Sequence, residues 1–95
     1  MPKLTSMYYV FQNCSSLTSL DLSNFDTSNI TNMKQTFQNC SSLENLYLNN
    51  ADFSNVTDYN DMLANVPSTT NIYVKDEIQA NWITEKYNNL TNIIY

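Results

Sequence analysis

The chain has 95 residues, 4 lysines, no arginine and 9 acidic residues, for a net charge of −5, and contains neither His nor Gly. That length suits one small domain, and the missing residue types exclude His-dependent triads, His-based metal sites, phosphate-cradling P-loops and dinucleotide fingerprints. The negative charge opposes direct binding of a nucleic-acid backbone and favours a basic protein partner.

No apolar run approaches the roughly 18 residues of a membrane helix, and no basic segment leads into an apolar one at the start. The expected setting is therefore the cytoplasm if the chain is complete, and the cell surface if it is a piece of a larger protein. Residues with A/T-rich codons, Asn and Tyr above all, are abundant. That usage fits an A/T-rich bacterium or one of its phages.

The first unit, about residues 4–29, contains FQNCSSL at Phe11–Leu17, and the same seven residues return at Phe37–Leu43. The likeness extends over Leu4–Leu22 and Ile30–Leu48, with a decayed third copy at Val56–Val74. Apolar character persists in five columns: Leu4, Ile30 and Val56; Met7, Met33 and Tyr59; Phe11, Phe37 and Leu63; Leu20, Leu46 and Ile72; Leu22, Leu48 and Val74. Repeats of this period predict stacked units that share a core. The units run about 4–29, 30–55 and 56–74, with a cap over 75–95, all within one domain spanning 1–95.

Within the second unit, Ile30, Met33, Phe37 and Cys40 fall on one face of a predicted helix, with Asn29 as its N-cap. Leu46 and Leu48 alternate with Tyr47, which predicts a short strand. Equivalent strands then form a parallel sheet spaced about 4.8 Å apart. The expected fold class is an α/β solenoid, a short leucine-rich-repeat-like stack of helix–strand units with a C-terminal helical cap.

Asn13, Asn39 and Asn65 form an invariant polar column. Each is expected to end its helix in the left-handed conformation usually taken by Gly. The alternative is a buried Asn ladder bonded to loop backbone. Cys14 and Cys40 share a column with Val66, so the thiols are expected to be buried, unpaired and there for packing. The alternative is a redox pair or half a metal site. Asp26 and Asp52 share another column. Paired carboxylates could serve acid–base chemistry or calcium, but their Asn-, Ser- and Thr-rich surroundings predict Asx turns. The Ser15–Ser16 and Ser41–Ser42 pairs have no base, and chance explains the five glycosylation sequons.

Strand alternation turns three rows away from the core: Ser19, Asn45, Asn71; Asp21, Tyr47, Tyr73; Ser23, Asn49, Lys75. The candidate protein-binding residues are Asp21, Glu44, Asn45, Tyr47, Asn49, Asn71 and Tyr73. Tyr is enriched at interfaces; the alternative is simple cross-strand packing of the two tyrosines.

Residues 75–89 predict a closing helix that starts at Asp76 and Glu77 and turns Ile78, Trp82 and Ile83 inward. Asn92–Tyr95 is a candidate last strand beside Asn71–Val74. The N-terminal end has no such cap. Leu4, Met7, Val10, Phe11 and Cys14 begin the core with nothing above them, so a second copy or the partner is expected to cover that edge.

The L-x-x-L-x-L pattern at Leu17–Leu22 and Leu43–Leu48 resembles a leucine-rich repeat. The wording LSNFDTSNITNM followed by MKQTFQNCSSLENLYL is similar to the BspA-type leucine-rich repeats of bacterial surface proteins. The resemblance covers about Leu4–Val74. It weakens after Leu48, where NADFSN replaces NFDTSN and the third unit lacks the Cys, the Ser-Ser-Leu and the Phe. It implies a protein-binding or adhesive role without catalytic residues, and no cofactor or metal is expected. Two readings follow. One is a small acidic inhibitor seated on a basic surface of a larger enzyme, for example a nucleic-acid-processing defence nuclease. The other is a fragment of a BspA-like adhesin.

Overall fold

The computed structural model describes residues 6–8, 10–23 and 27–95. Three short strands, β1 (Ser19–Asp21), β2 (Asn45–Leu48) and β3 (Asn71–Val74), are followed by helix α1 (Glu77–Lys86) and strand β4 (Ile93–Ile94). They form one parallel sheet in the order β1-β2-β3-β4. Ser19 pairs with Asn45 and Asn45 with Asn71; on the far side of the segments, Ser6 bridges to Asn32 and Asn32 to Asp58. Every one of these partners is 26 residues on, so the copies of the repeat lie side by side in register. The α/β class with a small parallel sheet is as expected.

The helices expected within the repeat are not formed. Over 30–40 and 56–66 the chain runs through consecutive turns. In the second segment the N–H groups of Thr36, Gln38 and Cys40 donate to the carbonyls of Met33, Gln35 and Phe37, each three residues back. Gln35 and Asn39, third in the outer two of these turns, have φ of 56° and 64°. A positive φ at that position alone is the mark of a type II turn. Alternate N–H groups point along the stack instead. Those of Met33, Gln35, Phe37 and Asn39 donate to the carbonyls of Asp58, Asn60, Met62 and Ala64 at 2.8–2.9 Å. Met7, Phe11 and Asn13 do the same to Asn32, Thr36 and Gln38.

An apolar spacing of three and four residues suits a turn-by-turn path as well as a helix. The choice between them goes against the helix here. ITNMKQTFQNC is rich in β-branched and Asn residues, which have low helix propensity, and Asn readily enters the left-handed region. The neighbouring segments supply the acceptors that helical carbonyls would otherwise provide.

The columns meet in one core. Ile30, Met33, Phe37, Leu46, Leu48 and Ile72 are all nearly sealed from solvent, and Phe11 stacks on Phe37 with ring centroids 5.8 Å apart. The buried Thr36 hydroxyl lies 2.7 Å from the Met7 carbonyl and 2.8 Å from that of Met33, and the buried Thr70 hydroxyl bonds the Leu43 carbonyl. Leu4 lies outside the described residues. Two expected core residues prove exposed: Val10, in the first segment, at 54% and Tyr59 at 38%. Among the described residues no segment lies on the outer side of Val10, and Tyr59 turns instead to meet α1.

The closing helix is shorter than its predicted span. Asp76 caps it by accepting from the Gln79 N–H, and the Tyr87 N–H closes it on the Ile83 carbonyl. Its buried face is Gln79, Ala80 and Ile83, whereas Ile78, expected to point inward, is 74% exposed. Gln79 is buried for a polar reason. Its Oε1 accepts the Phe53 N–H at 3.0 Å. The Tyr87 hydroxyl donates to the Tyr59 carbonyl and accepts from the Met62 N–H. As expected, β4 extends the sheet beside β3.

Two substitutions test this packing. Phe37→Ala should destabilise the protein by about 3–5 kcal/mol in denaturant unfolding, as for a sealed Phe in a core. Asn39→Gly keeps the left-handed backbone available, whereas Asn39→Ala does not. The alanine variant should therefore have the lower melting temperature of the two.

Candidate functional site

The solvent side of the sheet is built by strand alternation. Leu46, Leu48, Ile72 and Val74 point inward, so Asn45, Tyr47, Asn71 and Tyr73 must point out, and each is half-buried. The common register sets like beside like. The Tyr47 and Tyr73 rings stack with centroids 4.7 Å apart and 8° between planes. The Asn71 side-chain amide donates to that of Asn45 at 3.3 Å.

The stack is bounded on both sides. Tyr73 pairs with Ile94 on β4, and Tyr47 pairs with Asp21 on β1. Asp21 Oδ1 accepts both the Ser23 hydroxyl (2.5 Å) and the Ser23 N–H (2.9 Å). Those two bonds, the hydroxyl first, hold the Asp21 carboxyl below its usual range, so it stays ionised.

Of the seven candidate residues, Asp21, Asn45, Tyr47, Asn71 and Tyr73 come together on this face. Asn49, just past β2, is exposed and continues the face beyond the strand. Glu44 is exposed too, but it is one position out of step with Asn45 and Tyr47. Its column partner Thr70 is buried, and Glu44 sits at the corner before β2 rather than in the tyrosine rows.

Two features of the surface go beyond what the sequence predicts. The first is the Asn column. Asn13, Asn39 and Asn65 have φ of 63°, 64° and 63°. The left-handed role is as expected, although each sits in a turn and not at a helix end. They also form a ladder, Asn39 to Asn13 at 2.7 Å and Asn65 to Asn39 at 2.6 Å, amide to amide and exposed rather than buried against loop backbone. With Ser15, Ser41, Val66 and Pro67 the ladder lines an open groove of about 690 Å³. The invariance of the column was the signal for it.

The second lies at the cap. Trp82 stacks on Phe53 (4.7 Å) and meets Tyr59 edge-on (5.6 Å), while Lys86 Nζ lies 4.6 Å from the Trp82 ring and 5.2 Å from Tyr59. The spacing of Trp82 and Lys86, four apart on a helix, hinted at their contact.

The thiols and carboxylates are arranged for structure. Both cysteines are free. Cys40 is sealed and its Sγ lies 3.2 Å from the Phe11 carbonyl, whereas Cys14 is only half-buried, which corrects the expectation that both are enclosed. Cys14 belongs to the first segment and, among the described residues, has no segment on its outer side. Burial pushes the Cys40 thiol up, and the neighbouring Cys14 adds to the shift. Asp52 Oδ1 accepts the Ser54 N–H, the Asx turn expected there; Asp26 lies outside the described residues. Among the described residues, no helix is long and apolar enough to cross a membrane.

Residues 2–82 match the family described as "Mycoplasma protein of unknown function, DUF285". Neither the curated proteins nor the solved structures contain a match.

The two thiols should separate chemically. Alkylation of the native protein should label Cys14 quickly and Cys40 slowly, with both labelled on unfolding; a disulfide in the protein as made would contradict this. The raised Cys40 thiol favours the folded state fully below the ordinary thiol range. That contribution is lost as pH rises through Cys40's own value. Cys40→Val, which copies Val66, should remove this part of the alkaline loss of stability.

Proposed function

The chain belongs to the DUF285 family, whose function is unknown, and from that premise we propose that it is a non-enzymatic protein-binding module. We take its three segments to be a short solenoid of the BspA-type leucine-rich-repeat kind, closed by α1. The constant 26-residue register supports that reading. The observation that carries the binding role is the Tyr47–Tyr73 stack on the solvent side of the sheet, beside the Asn45–Asn71 amides. Paired aromatic rings held rigid by a sheet offer large contact area at small entropic cost, and truncating such anchors commonly costs about 2 kcal/mol or more of binding.

The net charge of −5 favours a basic partner. In this reading the protein is a small acidic inhibitor in the cytoplasm, seated on a basic surface of a larger enzyme such as a nucleic-acid-processing nuclease. A second reading, a surface adhesin fragment, draws on the FQNCSSL repeat wording. In both, the edge beyond the first segment, where Val10 is exposed, is covered by the partner or by a second copy.

Affinity capture from the native host, run in parallel with wild-type protein and the Tyr47→Ala/Tyr73→Ala double variant, tests the binding role. The partner should be retained by wild type and lost by the variant, through a faster off-rate, while the variant keeps its fold by circular dichroism. Neutralising Asp21 should slow association at low salt and matter little at high salt. Equal capture by wild type and the double variant would move the interface away from the sheet.

A further inference from the structure

The tyrosine stack is asymmetric, and its asymmetry specifies a ligand. One face of Tyr47 is taken by Tyr73. On the other side the paired residue on β1 is not a third ring or an aliphatic chain but Asp21, fully exposed at the margin of the sheet. The Asp21 side chain leans along the chain to Ser23, and both Ser23 donors go to Oδ1. Oδ2 accepts no hydrogen bond among the described residues. An aromatic ring and an ionised carboxylate thus occupy paired positions on the outer side of the sheet, the ring half-buried and the carboxylate exposed.

We propose that this end of the stack is a slot for an arginine side chain of the partner. The guanidinium lies flat on the Tyr47 face turned away from Tyr73 and donates to Asp21 Oδ2. Planarity decides between the two basic side chains. A guanidinium stacks on an aromatic face and still has N–H groups in its plane for a carboxylate, whereas an ammonium is a compact, strongly hydrated point charge. The carboxylate also needs no proton removed before it can accept, because Ser23 already stabilises its charged form. Charge complementarity acts in the same direction, since the chain carries −5 and contains no arginine of its own. Among the described residues, Lys75, two residues beyond Tyr73 and past the end of β3, is the positive charge of this face and lies two strands away from Asp21. The inference rests on the sheet face being the binding surface and narrows what that surface recognises.

Titration of the full-length, isotopically labelled protein with Nα-acetyl-arginine amide, followed by NMR, tests the slot. Saturable shifts should appear at residues 19–23 and 45–49. Nα-acetyl-lysine amide should bind about tenfold more weakly, because it lacks the stacking plane. The citrulline analogue, which has the same shape without the charge, should not saturate. Asp21→Asn keeps an acceptor for Ser23 and so keeps the local turn; it should weaken arginine binding at least about tenfold. Tyr47→Leu should weaken it as well. Equal binding of arginine and citrulline, an affinity unchanged in Asp21→Asn, shifts centred elsewhere, or no shift at tens of millimolar ligand would each overturn the slot. Its failure is separable from that of the broader reading. If the tyrosine double variant loses the captured partner while the arginine titration is silent, only the slot falls. If the double variant still captures the partner, the sheet face itself is wrong.

Discussion

The hydrogen bonds between successive segments are what everything else in this molecule depends on. Donors at Met33, Gln35, Phe37 and Asn39 meet carbonyls 25 residues ahead, and the strands on the opposite side pair at an offset of 26. Together these bonds hold one copy of the repeat directly beside the next. A slip of one residue in a sheet would turn every inward Leu outward. Here a slip would also break the turn ladder, so the register is held from both sides of the core. Once it is held, each side chain finds its own kind on the neighbouring segment: Phe on Phe, Tyr on Tyr, Asn on Asn.

That arrangement explains how a chain without glycine makes so many tight turns. A left-handed residue is needed at regular intervals, and Asn, Gln and Asp take it at positions 13, 35, 39, 61 and 65. Asn tolerates this conformation at modest cost because its short amide can bond locally. In the column at 13, 39 and 65 the same amides also bond one another along the stack. One residue type therefore serves the backbone and the side-chain ladder together. Serine or threonine could bond in such a place but would not enter the left-handed region as readily.

The two ends of the stack are finished differently. At the C-terminal end, side chains from beyond β3 meet the backbone of the repeat: Gln79 accepts the Phe53 N–H, the Tyr87 hydroxyl shares the Met62 N–H with the Tyr59 carbonyl, and Asn92 donates to the Thr69 carbonyl. Trp82 covers Phe53, and Lys86 covers Trp82 in turn. At the other end Val10 is exposed and Cys14 half-buried. Between these ends the outer rows of the sheet keep a fixed spacing, and the contents of those rows, an aspartate followed by two tyrosines, give the face a direction from acidic to aromatic.

Much of this could be read from the residues alone. The 26-residue period, the parallel strands, the inward leucines, the aligned tyrosines and the terminal helix all follow from patterns that recur or alternate, and such patterns report burial directly. The path between the strands could not be read so. Ile30, Met33, Phe37 and Cys40 bury the same side whether the chain coils as a helix or steps through turns, so their spacing does not distinguish a carbonyl four residues back from one on the next segment. Nor could the sequence show that Ile78 faces solvent while Gln79 is buried. Hydrophobicity argues the opposite, and it is the bond from the Phe53 N–H to its side-chain oxygen that makes a buried glutamine favourable. The sequence by itself determined the repeat, its register and which residues share a column. The tertiary structure decided where each backbone hydrogen bond goes, because the partners that satisfy them lie 25 residues away along the chain or on the capping helix.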